Sequence, residues 1–166
     1  MARKIDLRAA LLAAAAAGIV FMMLEMAMVM LVQDESPWAP PRMIAAIGMG
    51  EGVLPPPATF DAGIMAVAMT IHFALAIVLA IILAWGISRF GLGTTASIVG
   101  GAMFGLAVYY INFYGFTALF PWFAMARGAI SIVAHVAFGA ILGAVYRLLH
   151  PRSAPEHSAE ARERLA

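Results

Sequence analysis

Four long runs of apolar residues constrain this sequence more than any other feature. They cover roughly residues 9–32, 62–87, 96–116 and 128–149, and each reaches the length of about 20 residues that a helix needs to cross a bilayer core. Inside lipid, backbone N–H and C=O groups must find partners within the protein, so only helices or closed barrels can span it. No run alternates between polar and apolar residues, which excludes barrel strands. The sequence therefore predicts an all-α, polytopic membrane protein with four transmembrane helices in a compact bundle.

The composition excludes several other classes of protein. Of the 166 residues, 64% are hydrophobic and 11% are charged, whereas a soluble domain carries about 25% charged residues. A soluble globule and a disordered chain are therefore excluded. The net charge of +1 offers no basic surface to nucleic acid, and the absence of cysteine excludes disulfides and thiolate sites. Because nucleophile-elbow and phosphate-loop motifs are also missing, we expect a protein that is not an enzyme.

The basic residues predict an orientation. With the N-terminus inside, eight of them lie on the cytoplasmic side and only Arg42 and Arg127 lie outside, which is the bias expected of cytoplasmic loops. We therefore predict that both termini are cytoplasmic. The first apolar run follows a basic start but is longer than that of a secretory signal, so we expect it to be retained. Residues 1–149 form one predicted transmembrane domain, and residues 150–166 form a polar cytoplasmic tail.

The outer connection 33–61 is long and contains Pro40 and Pro41 ahead of a short apolar segment that ends in glycines. This pattern predicts a short helix at the membrane interface. Trp38 lies in this connection and Trp122 in the next one, where the aromatic belt of a membrane protein is found. Each tryptophan taken alone is explained by an ordinary role as an interface anchor.

Small residues recur at every fourth position of the predicted spans, on one helix face. Such faces allow close helix packing, within the chain or with an oligomer or larger complex. They are Ala10, Ala14 and Gly18; Ala76, Ala80 and Ala84; Gly101 and Gly105; and Gly139 and Gly143. Each half also has a Pro-Trp pair followed by an arginine. A parallel two-helix repeat and common packing motifs explain this echo equally well.

Ionisable residues inside the apolar runs are the strongest functional signal, because they are costly in a membrane. Glu25 and His135 lie about 10 Å, and His72 roughly 15 Å, from the outer ends of their spans, at 1.5 Å per residue. We therefore expect all three in one layer in the outer half of the membrane. Asn112 and Tyr110 of the third span have a similar depth. Residues of the outer connections are expected to cap this layer, namely Arg42, Arg127, Trp38 and Asp61.

Three interpretations of this layer stay open. The first is a hydrogen-bonded clamp, although such interhelical bonds contribute only about 0.6 kcal/mol each. The second is a cofactor site: His72 and His135 match the axial ligands of a b-type haem, and with Glu25 and Met69 they match ligand sets for zinc, iron or copper. The third is proton exchange between the carboxyl and a histidine, as part of a proton-coupled transporter.

Three strings, SPWAPPRMIAAI, LPPPATFD and NFYGFTALFPWFA, with an AR pair and a histidine after the last, resemble a family of short bacterial inner-membrane proteins often labelled sodium:proline symporters. The resemblance covers most of the chain from Glu25 to Arg147. It implies a location in the bacterial inner membrane and carries over no catalytic residues.

The function predicted from these observations is that of a non-enzymatic accessory or binding protein of the inner membrane. It acts with a partner complex or as an oligomer, through the layer of Glu25, His72, Asn112 and His135. A haem or metal carrier and a component of proton-coupled transport are the alternatives.

Overall fold

The computed structural model describes residues 5–150. Between these residues the chain is helical and contains no β-strand. The α-helices are α1 (Leu7–Gln33), α2 (Ala39–Met49), α3 (Ala62–Phe90), α4 (Thr94–Tyr110) and α5 (Ala129–Leu149). Four helical segments are long and apolar enough to cross a membrane: Leu7–Gln33, Ala62–Phe90, Thr94–Ala118 and Ala129–Leu149. This finding confirms the prediction of an all-helical chain with four candidate transmembrane helices.

Part of the predicted orientation signal lies outside the described residues. It comprises the tail beyond His150 and the basic residues Arg3, Lys4, Arg152, Arg162 and Arg164.

Local sequence signals determine where the helices begin and end. Asp6 and Asp61 precede α1 and α3, and each carboxylate accepts a hydrogen bond from a backbone N–H three residues further on, at 2.9 and 2.8 Å. Gly91 ends α3 with a φ of +59°, a conformation that glycine adopts without strain. Pro40 and Pro41 lie in the first turn of α2, where proline costs no helical hydrogen bond.

The long helices pack in the order α3, α1, α5 and α4, so that α1 lies between α3 and α5. Alanines make this central packing close: Ala13 and Ala17 of α1 and Ala84 of α3 are fully buried. Larger side chains of α5, among them Phe138 and Leu142, fill the same core. By contrast, α3 and α4 scarcely touch each other.

Helices α4 and α5 are in contact through their backbones. A Cβ atom added to Gly101 would collide with the carbonyl of Gly139, and one added to Gly143 would collide with that of Ser97. Side chains larger than hydrogen are therefore excluded, and the close approach favours Cα–H···O contacts between the helices. The small-residue face predicted from the sequence is thus used within the chain.

The two ends of the molecule are stabilised differently. At the end near the chain termini, which we call the terminal end, the Tyr146 hydroxyl is 2.9 Å from that of Ser88 and accepts a hydrogen bond from the backbone N–H of Asp6. At the opposite end, which we call the α2 end, α2 packs on α3. There Trp122 donates its indole N–H to the Met43 carbonyl at 3.0 Å, so the segment after α4 is attached to α2.

Candidate functional site

A cavity of about 310 Å³ lies in the half of the molecule toward the α2 end. All five α-helices and the segment after α4 contribute to its wall. Its volume is about twice that of an engineered apolar cavity of about 150 Å³ that holds benzene. Five polar side chains lie in the wall: Glu25, His72, Asn112, Ser131 and His135. Six phenylalanines surround them: Phe21, Phe113, Phe116, Phe120, Phe123 and Phe138.

The cavity opens between α3 and α4. Leu75 of α3 and Phe116 beyond α4 belong to its wall, yet they are 51% and 44% exposed. Both lie on helical segments apolar enough to span a membrane. Because α3 and α4 scarcely touch, this opening faces sideways, toward the outer surface of the candidate membrane-spanning helices.

His135 is held by hydrogen bonds on both sides of its ring. Its Nδ1 lies 2.7 Å from the carbonyl oxygen of Ser131, one turn earlier in α5. A carbonyl can only accept, so Nδ1 carries the proton and Nε2 carries the lone pair. The Asn112 amide nitrogen lies 3.4 Å from Nε2 and donates to it. Asn112 belongs to the π-helical turn Ile111–Gly115, a rare geometry that is frequent at functional sites.

His72 is fixed in the opposite tautomer. Its Nε2 lies 2.9 Å from the carbonyl oxygen of Gly18, so Nε2 carries the proton and Nδ1 is the hydrogen-bond acceptor. Gly18 permits this contact, since a Cβ atom there would lie 2.9 Å from the Phe73 ring and 3.3 Å from Nε2 itself. Both histidines therefore donate a ring N–H to a backbone carbonyl.

Glu25 is 6% exposed, and its carboxyl group interacts with the hydroxyl of Ser131. Ser131 is the third residue of α5, so this carboxyl lies beside the N-terminal turn of that helix. The N-terminus of a helix carries a partial positive charge and favours an anion nearby. The helix terminus therefore supplies a partial positive charge near Glu25 but no full opposite charge.

The Phe21 ring contacts both imidazoles. Its centroid lies 5.4 Å from that of His72 and 4.9 Å from that of His135. Two axial haem ligands must approach one iron from opposite sides, and an aromatic ring packed against both histidines does not suit that arrangement. Between residues 5 and 150, no group of three or more histidine, aspartate or glutamate side chains is arranged to hold a metal ion. Met69, the fourth predicted ligand, does not line the cavity.

Four of the residues predicted from the sequence thus line one cavity: Glu25, His72, Asn112 and His135. The residues expected to cap this layer do not line the cavity. Arg42 donates to the backbone carbonyls of Val53 and Thr59, and Arg127 donates to that of Phe113 at 2.7 Å. These arginines stabilise their own connections, because a guanidinium with five N–H groups readily bridges loop carbonyls.

The remaining predicted residues also lie outside the cavity wall. Asp61 caps α3. Trp38 packs on Phe60, with ring centroids 5.0 Å apart, and Tyr110 is 53% exposed. Trp122 is only 8% exposed, so it is a buried packing residue rather than the lipid-interface anchor that its position in the sequence suggests.

Sequence reasoning missed two central residues of the wall, Phe21 and Ser131. Phe21 lies four residues before Glu25, and Ser131 lies four residues before His135. Residues four apart share a helix face, so the spacing rule that selected the small-residue faces also selects these two. The phenylalanines after α4 carry no such signal, because that segment has no regular period.

Comparisons with protein-family models, with curated proteins and with solved structures found no match to this chain.

Proposed function

We propose that this chain is a non-enzymatic integral membrane protein that binds a small lipophilic molecule in the cavity toward its α2 end. One observation carries the proposal: polar side chains from α1, α3, α5 and the π-helical turn converge within a wall of phenylalanines. Small-molecule sites typically combine an apolar wall of this size with a few convergent polar groups. The sideways opening suits a molecule that arrives from the bilayer.

The location forms part of the same proposal. The excess of basic residues expected on the cytoplasmic side supports cytoplasmic termini, and the resemblance noted above supports the bacterial inner membrane. The cavity then lies in the outer half of the bilayer.

That the protein acts with a partner complex or as an oligomer stays a prediction. The small-residue faces that suggested one are occupied within the chain, as between Gly101 and Gly139, so binding in the cavity does not require a second copy.

Binding can be measured with N-phenyl-1-naphthylamine, a neutral lipophilic fluorophore, added to the full chain in lipid nanodiscs. We expect a saturable fluorescence increase above that of empty nanodiscs. We expect Ile44→Trp, which places a large ring in the cavity from α2, to abolish the saturable part of this fluorescence increase. Ile82→Trp is the matched control, because Ile82 is 48% exposed on α3 and does not line the cavity. Equal binding by both variants, or no saturable binding by the unmodified chain, contradicts the proposed function.

A further inference from the structure

The cavity wall contains an acidic side chain but no lysine or arginine. Glu25 is the acidic residue of the wall. Arg42 and Arg127 are the sequence neighbours of lining residues, and both are bonded to backbone carbonyls. The histidines donate their N–H groups to the carbonyls of Gly18 and Ser131. No positive side chain among the described residues therefore faces the Glu25 carboxyl within the cavity.

A buried carboxylate without an opposite charge is costly, and a partner that is charged and desolvated with it offsets that cost. The Ser131 hydroxyl and the first turn of α5 supply only dipoles. The apolar wall adds a second preference, because faces of phenylalanine rings attract cations. Phe21 and Phe138, with centroids 6.0 Å apart, both belong to this wall.

We infer that the molecule bound in this cavity is a lipophilic organic cation, an amine or quaternary ammonium whose charge lies against Glu25 and whose apolar part lies among the phenylalanines. This inference rests on the proposed function and specifies the class of ligand. His72 Nδ1 and the side-chain carbonyl oxygen of Asn112 are hydrogen-bond acceptors for the N–H groups of an amine.

A proton competes with such a cation for the carboxylate. The polar groups that line the cavity with Glu25 are Ser131 and His135 of α5, His72 of α3 and Asn112 after α4, while α2 contributes only apolar residues to the wall. Acidification removes the negative charge of the carboxylate, and this change opposes a bound cation, so the affinity for the cation falls as the pH falls.

Benzyltrimethylammonium and neopentylbenzene test the inference, because they have the same shape and differ in one atom, a charged nitrogen in place of a carbon. Saturation-transfer NMR on the full chain in nanodiscs, with empty nanodiscs subtracted, measures both. We expect the cation to bind more tightly near pH 8 than near pH 5. Glu25→Gln is expected to weaken cation binding by at least about tenfold, as expected for loss of one partner of a buried charge pair, and to leave the neutral probe unaffected.

Glu51→Gln is the control for loss of an acidic residue, since Glu51 is exposed. Glu25→Asp keeps the charge and is expected to retain cation binding even if the glutamine variant folds poorly. Equal affinity for both probes, or a glutamine variant that is folded by circular dichroism and binds the cation normally, overturns the inference and leaves the proposed function standing. If neither probe binds and the fluorophore also fails to bind, both proposals are wrong.

Discussion

Asn112 and His135 form a long hydrogen bond across the wall of the cavity, with 3.4 Å between Nδ2 and Nε2. Each histidine is oriented more firmly by a carbonyl than by another polar side chain. At the scale of single residues, the histidines of the site are therefore oriented mainly by the backbone rather than by other polar side chains. A purely structural clamp would instead pair these groups with one another.

A double-mutant cycle measures how much the hydrogen bond between Asn112 and His135 contributes to stability. We expect the coupling free energy between Asn112→Leu and His135→Leu to stay below about 1 kcal/mol, as for interhelical hydrogen bonds in membrane proteins. The measurement is the free energy of unfolding in mixed detergent micelles, followed by circular dichroism. A coupling of several kcal/mol would show that this pair exists mainly to hold α5 and the π-helical turn together.

Asp6 gives a pH dependence outside the candidate membrane spans. The hydrogen bond from the backbone N–H of Ala9, assisted by His150 3.6 Å away, holds the pKa of Asp6 below its usual value. A lowered pKa in the folded state means that this cap stabilises the protein above the unfolded pKa and is lost as the pH falls through the folded pKa. We expect Asp6→Ala to lower the melting temperature at neutral pH and to have a smaller effect in strong acid. Asp6→Asn, which can still cap the helix, serves as the control, and a pH-independent effect of the alanine variant would contradict this account.

The depth of each residue along its helix, calculated from the rise per residue, was sufficient to group the ionisable residues of the site. Glu25, His72 and His135 were placed in one layer from their distances along the helices, and they line one cavity. The hydrogen bonds of Arg42 and Arg127 could not be predicted in this way, because position in an outer loop does not show whether a guanidinium turns inward or bonds to nearby carbonyls. That choice depends on the path of an irregular chain, which no periodicity encodes.

At the scale of elements, glycine determines which helices touch. The contact between α4 and α5 leaves no room for a Cβ atom at Gly101, Gly105, Gly139 or Gly143. These two helices consequently form a rigid pair. The cavity lies between this pair of helices and α3.

Gly139→Ala tests this pair. Alanine favours a helix over glycine by about 1 kcal/mol, yet we expect the substitution to destabilise the protein by about 1–3 kcal/mol through overpacking, because the added Cβ meets the backbone of Gly101. Gly86→Ala is the control, since nothing lies within 4 Å of its added Cβ, and it is expected to be neutral or stabilising. Unfolding in mixed micelles measures both, and equal effects would contradict the close backbone contact.

The apolar runs were long enough to predict the helices themselves, and the proline pair marked the start of α2. The π-helical turn at Ile111–Gly115 and the 3₁₀ turns after it could not be predicted in this way. Their residues continue the apolar run of α4, and composition alone does not show where a helix changes its hydrogen-bonding pattern.

At the scale of the whole molecule, the absence of cysteine makes the orientation directly testable. We expect a cysteine at position 51, in the connection after α2, to react with a membrane-impermeant maleimide in intact cells whose outer membrane has been opened. A cysteine at position 95, in the first turn of α4, is expected to react only after the inner membrane is permeabilised. Glu51 and Thr95 are both exposed, so accessibility within the fold does not bias the result. The reverse labelling pattern would show that both termini lie outside the cytoplasm.

The gap flanked by Leu75 and Phe116 also determines how occupancy would be controlled. A guest that enters through it is exchanged with the acyl-chain phase, so the quantity that sets saturation is its mole fraction in lipid and not its concentration in buffer. Adding empty liposomes to a loaded sample would then strip the guest from the protein, whereas washing with fresh aqueous medium would leave it largely in place.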